Sequence, residues 1–132
     1  MNYNLHKDDR IYLMTPYSAS HLEGMERKEL EHIRFLQAVR SAGILISKGL
    51  TVFSPIAHSH PIAVEHEMDG TFITWAALDH SFIDWWATVG IVVKFWGWDR
   101  SAGVLTESVR MGERRLPVHL VHPTELDSIP IT

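Results

Sequence analysis

Val89-Gly90-Ile91-Val92-Val93-Lys94-Phe95-Trp96-Gly97-Trp98-Asp99-Arg100-Ser101-Ala102-Gly103-Val104-Leu105-Thr106-Glu107 reads as a strand running into a tight turn that opens a helix. The first seven residues show little polar alternation, the pattern of a strand covered on both faces. Ser101 stands where a helix cap belongs, followed by a glycine two residues on and a carboxylate within the next turns. Backbone N–H groups at a helix start lack internal partners and carry partial positive charge. Ser101 and Gly103 are therefore candidates to cradle a phosphate, and the same field is expected to hold Glu107 ionised as a nucleophile. The plain alternative is a serine that caps a surface helix, with Glu107 as a solvated side chain.

Three more short apolar runs, Ile11 to Met14, Leu50 to Phe53 and Val118 to Val121, share this texture. Between the first two, Arg27 to Ile46 carries a broad apolar face at helical spacing, with Gly43 or Gly49 near its end. Between the second and third, Thr71 to Thr88 holds Phe72, Ile73, Ala76, Phe82, Ile83 and Trp86 at helical spacing, with Gly70 before it. Ser54 to Asp69, with two prolines and three histidines, has no clean period and reads as a loop or short helical insertion. A last helix over Ala102 to Arg114 leads through Pro117 into the final strand, and the tail after Pro123 reads as surface chain or a short arm. Alternating strands and helices predict a flavodoxin- or Rossmann-like, doubly wound parallel sheet of four to five strands in three α/β/α layers.

In such a sheet ligands bind at the carboxyl ends of the strands. Thr15-Pro16-Tyr17-Ser18, Ser54-Pro55-Ile56-Ala57-His58-Ser59-His60 and Gly97 to Gly103 all open on that edge, which makes Pro16, Tyr17, Ser18, His60 and Trp98 candidate substrate contacts. His60 is the preferred ligand among the histidines. A zinc reading of His58, His60 and His66 with Glu65 or Glu67 lacks the scaffold of a helical His-x-x-x-His pair. Trp96 and Trp98 flank Gly97, where an indole either stacks on a base or packs at the sheet edge. Trp85 and Trp86 read as core and interface, and Arg114-Arg115 as a solvated helix terminus.

The 132 residues are 45% apolar, enough for one domain with a core over 1–132 and too few for two. The chain has no cysteine, which rules out disulfides and a cysteine nucleophile and fits a reducing cytosol. Its formal charge of −4 comes from mixed charges without a basic stripe. Neither a nucleic-acid polymer nor an anionic membrane is expected as partner. The polar stretch Met1 to Arg10 lacks the apolar core of a signal peptide, and no run approaches a membrane span.

The marks Ile11-Tyr12-Leu13 with Pro16-Tyr17, Val52-Phe53-Ser54-Pro55-Ile56 with His58-Ser59-His60, Trp75 to Asp79, and Gly97-Trp98 with Ser101, Gly103 and Glu107 resemble the nucleoside 2-deoxyribosyltransferase superfamily. The likeness covers most of the chain and is nearest to a short phage and bacterial branch. It implies that Glu107 attacks the anomeric carbon, that Asp79 handles the proton at the base and that Tyr12 orients the nucleophile. It implies no cofactor or metal and a homodimer or larger homo-oligomer. Retaining cleavage of a glycosidic bond calls independently for two carboxyl groups, one attacking and one protonating. Asp79, among Trp75, Leu78 and Phe82, is expected to have its pKa raised by burial and so keep a proton to donate. The alternative for Asp79 is a surface-facing helical side chain.

Ser101-Ala102-Gly103-Val104 is similar to the deoxynucleoside 5′-monophosphate N-hydrolase branch, in which the serine and glycine hold the phosphate. The Pro16-Tyr17 turn is closer to the base-exchanging transferases, whose asparagine near the C-terminus has no counterpart, since Asn2 and Asn4 are the only asparagines. With Gln37 the only glutamine, amide readout of a base is poorly supplied. The expected activity is thus N-glycosidic cleavage of a 2′-deoxynucleoside 5′-monophosphate through a glycosyl–Glu107 intermediate. Base exchange, or a module that only binds a nucleotide or sugar phosphate, is the alternative.

Overall fold

Alternating burial along the strands sets the architecture. Ile11 and Leu13 face one side of the sheet and Tyr12 and Met14 the other, all of them buried. A computed structural model describes residues 4–68 and 72–132. The four apolar runs become β1 (Arg10–Met14), β2 (Thr51–Phe53), β3 (Val89–Val93) and β4 (Val118–Val121). They pair in parallel in the order β2-β1-β3-β4, the expected doubly wound arrangement. β3 is buried along its whole length, as its unbroken apolar run requires.

Helix α1 (Gly24–Ser47) covers one face through Ala42 and Leu45, and ends where Gly49 takes φ +87°. α3 (Phe72–Trp85) and α4 (Ala102–Glu113) cover the other through Ile83, Val104 and Met111. Gly70 and Thr71, proposed as the start of α3, lie outside the described residues. Gly90 of β3 lets α4 approach closely: a Cβ there would come within 2.5 Å of Met111 Sδ and 2.7 Å of Met14 Cε. α3 and α4 are clamped by Asp84, which accepts two bonds from Arg110 (2.8 and 2.6 Å) and one from Arg114 (3.1 Å). These arginines hold Asp84 down at about 2. Arg114 is therefore an ion-pair partner rather than part of a merely solvated terminus.

One segment settles between its two sequence readings, loop or short helical insertion, and another differs from its reading. Pro55–Glu65 is a helix, α2, and Pro61 lies inside it. Ser54 caps it by accepting from the Ala57 amide at 3.1 Å, and Pro55 occupies the first turn, where its missing N–H costs nothing. The tail is not loose surface chain. Pro123–Ser128 forms a 3-10 turn that sinks Leu126 and Ile129 into the α1 face, and Leu5 pairs with Ile131. Leu5 N donates to Pro130 O (3.0 Å) and Thr132 N to Leu5 O (2.8 Å). Apolar side chains at alternate irregular positions carry no period, so burial of this segment was invisible to pattern reading.

Candidate active site

The loops after β1 and β3 and the start of α2 converge above the carboxyl edge of the sheet, where a cavity of about 330 Å³ opens. Its floor is chemical. Glu107 projects from the second turn of α4 and is buried, and Tyr12, from the middle of β1, donates its hydroxyl proton to the Glu107 carboxylate. Tyr12 reaches it because strand alternation turns residue 12 toward the α3/α4 face. Burial, then the charges of Glu107 and Asp79, raise the Tyr12 pKa, so the phenol stays a neutral donor.

Asp79 enters the same cavity from α3 and is buried, which excludes the surface-facing alternative. Its Oδ1 has no hydrogen-bond partner, and neither has the buried Oγ1 of Thr15 in the cavity wall. Buried polar atoms are almost always paired, so two such atoms facing one cavity mark where a ligand's polar groups belong. Burial pushes Asp79 up to about 6, in the direction expected. Glu107 departs from its expectation: burial pushes it up to about 8, with the Tyr12 hydrogen bond pulling it back and the charge of Asp79 pushing further. The field at the helix start does not hold it ionised, because Glu107 sits in the second turn, beyond the free N–H groups, and desolvation dominates. The two raised values lie on either side of neutral pH, so together the carboxyls carry about one proton there.

Tyr17, Ser18 and His60 line the cavity as expected. The Tyr17 hydroxyl lies 2.6 Å from His60 Nδ1, and Phe35 of α1 stacks on the His60 ring at 4.5 Å between centroids. Burial lowers the His60 pKa and raises that of Tyr17 to about 12, keeping both neutral. Ser101 caps α4 by accepting from the Val104 amide at 3.2 Å. Capping and cavity lining coexist there, since Ser101, Ala102 and Gly103 all border the cavity and the first helical N–H groups have no intrahelical partner.

Two expected contacts lie elsewhere. Trp98, in the 3-10 turn Trp98–Arg100, packs against the cluster of Tyr12, Met14 and Val104 instead of lining the cavity. Pro16 borders a second hollow beside the first. Sequence reading gave no site role to three neighbours of the site. Trp75, read as a helical neighbour of Asp79, lines the cavity one turn before it. Arg34 is buried from α1, and Arg100 lies over the Trp96 ring at 4.9 Å, facing both hollows. Neither arginine stands in a motif.

Among the described residues no three His, Asp or Glu side chains are grouped so as to hold a metal ion, and no helix is long and apolar enough to cross a membrane. Residues 9–122 match the family model described as a domain of unknown function, DUF1937, and the chain belongs to that family. No curated protein matches it.

Proposed function

We propose that the protein is an N-glycosidase that releases the base from a 2′-deoxynucleoside 5′-monophosphate. The observation that carries the reading is a buried tyrosine–glutamate pair, Tyr12 with Glu107, opening onto a cavity whose other carboxyl, Asp79, is buried with an uncommitted oxygen. This is the pair of groups that retaining glycosidic cleavage needs: one carboxyl held in a fixed orientation to attack, and a second able to pass a proton to the leaving base. The likeness to nucleoside 2-deoxyribosyltransferases assigns the same three residues. The fold alone would support many other activities.

In the reaction Glu107 attacks the anomeric carbon as the bond to the base breaks, and the proton carried by Asp79 passes to the departing base nitrogen. Water then attacks the anomeric carbon of the glycosyl ester, Asp79 takes its proton, and Glu107 is released as carboxylate. Because burial raises both carboxyl pKa values, the pair retains one proton near neutrality. The productive arrangement has that proton on Asp79 and the charge on Glu107. Tyr12 favours it by donating to the Glu107 carboxylate. The N–H groups at the start of α4 donate to the 5′-phosphate oxygens beside Ser101 and Gly103.

The test incubates the protein with deoxynucleosides and their 5′-monophosphates and follows free base by chromatography, alongside Glu107→Ala and Asp79→Asn. Release from monophosphates that is lost in Glu107→Ala supports the reading. Absence of release from every substrate, with or without an added acceptor base, would falsify it.

A further inference from the structure

The second hollow, about 260 Å³, adjoins the cavity and shares Ser18, His21, Arg100 and Ser101 with it. Its charge differs. Beside these shared residues the cavity holds two carboxyls, whereas the hollow adds Arg34 and has no acidic side chain. In a chain of net charge −4 this is a local inversion of charge.

Arg34 is only 6% exposed, and its Nη1 donates to the carbonyls of Tyr17 (3.3 Å) and Ser18 (2.7 Å), which fixes the plane of the guanidinium. Its Nη2 rests against Gly97, where a Cβ would come within 3.1 Å; the residue's φ of +91° also calls for glycine. Its acidic neighbour Glu31 is engaged instead by Arg27 at 3.2 Å and by the Ala19 amide at 3.0 Å. Among the described residues neither Arg34 nor Arg100 forms an ion pair. Burial disfavours the charged guanidinium by more than nearby Glu31 favours it, and an anion bonded directly in the hollow offsets that cost.

We propose that the hollow is a second anion subsite, which takes the outer phosphate of a nucleoside 5′-diphosphate whose inner phosphate sits at the start of α4. Ser101 and Arg100 border both spaces, so adjacent phosphates of one ligand can be held across them, while the planar forks of the arginines suit phosphate oxygens. The inference rests on the glycosidase reading and extends its substrate by one phosphate.

Calorimetric titration of the whole chain with inorganic phosphate and with inorganic pyrophosphate tests it. Pyrophosphate binds about tenfold tighter or better, and Arg100→Ala or Arg34→Lys each lowers its affinity about tenfold with a smaller loss for phosphate. Arg100 is exposed, so its variant folds even if the Arg34 variant does not. Equal affinity for the two anions, or a pyrophosphate preference that survives both substitutions, overturns the subsite. Base release from deoxynucleoside 5′-di- and monophosphates is then compared, with higher kcat/KM expected for the diphosphate. Release from monophosphates without a pyrophosphate preference defeats the subsite and leaves the glycosidase standing. A pyrophosphate preference without release from any nucleotide upholds the subsite and removes the glycosidase.

Discussion

The two faces of the sheet are built to different specifications. On the α1 side Leu5, Ile11, Leu13, Leu45, Ile91 and Leu126 pack as an almost wholly aliphatic layer, with the buried Arg34 of α1 turned to the loop after β1. On the α3/α4 side the same strands present Tyr12, Met14 and Gly90, which meet Phe53, Phe82, Met111 and Trp98 and leave Glu107 and Asp79 buried. One strand thus serves both purposes at alternate residues, because its side chains alternate faces. The first face is free to optimise packing, while the second gives up some apolar contact to hold carboxyls out of water, where their protonation is tunable.

Substitutions on each face separate the two roles. Glu107→Ala is expected to lower base release by about a thousandfold or more with the fold intact, whereas Tyr12→Phe costs on the order of tenfold to a hundredfold in kcat. On the other face Leu45→Ala is expected to cost about 2–5 kcal/mol in a urea titration while the surviving folded molecules keep their turnover. Loss of turnover per folded molecule there would break the distinction. Gly90→Val attacks the boundary, since its side chain meets Met111 and Met14, and is expected to cost about 1–3 kcal/mol and to disturb kcat as α4 shifts.

The pH response sharpens the comparison further. Glu107 has a folded pKa of about 8 against an ordinary 4.5, so the stability it contributes is fully present below pH 4.5 and is lost as pH rises through 8. Glu107→Gln should therefore raise stability at pH 9, on the order of 1–2 kcal/mol, and change it least at pH 4; a thermal melt series checks this. Turnover should follow a bell, because the reaction needs one proton on the pair; its limbs lie near the raised values of about 6 and 8 and belong to the pair jointly. Asp84→Ala is expected to have the smallest effect, below about 1 kcal/mol, since its ion pairs lie near solvent; salt should erase the difference.

The fold was legible because the unbroken apolar runs and helical spacings report burial directly. β4 falls on the residues its run indicates, and the other strands lie within two residues of theirs. The convergence of Glu107, Tyr17, Ser18, His60, Ser101 and Gly103 on one cavity followed from the rule that ligands sit at the carboxyl edge, whereas Asp79, on a helix, was expected there only from the family resemblance. What escaped was whatever depends on contact between distant elements. Arg34 looks like an ordinary helical arginine until α1 is laid beneath the β1 loop. Trp98 looks like a stacking platform until the turn folds it inward. The sign of the Glu107 shift depends on how completely Tyr12 and the sheet shut out water, which no local pattern encodes.

The pairing of Leu5 with Ile131 bears on how the molecule comes apart. Chain ends ordinarily fray, opening many times for each global unfolding event, so amide exchange there is fast and uninformative. Here the amides of Leu5 and Thr132 are each bonded across a separation of more than a hundred residues. Neither can open without dismantling contacts between both extremities, and their exchange rates should fall together toward the slow limit set by the whole domain.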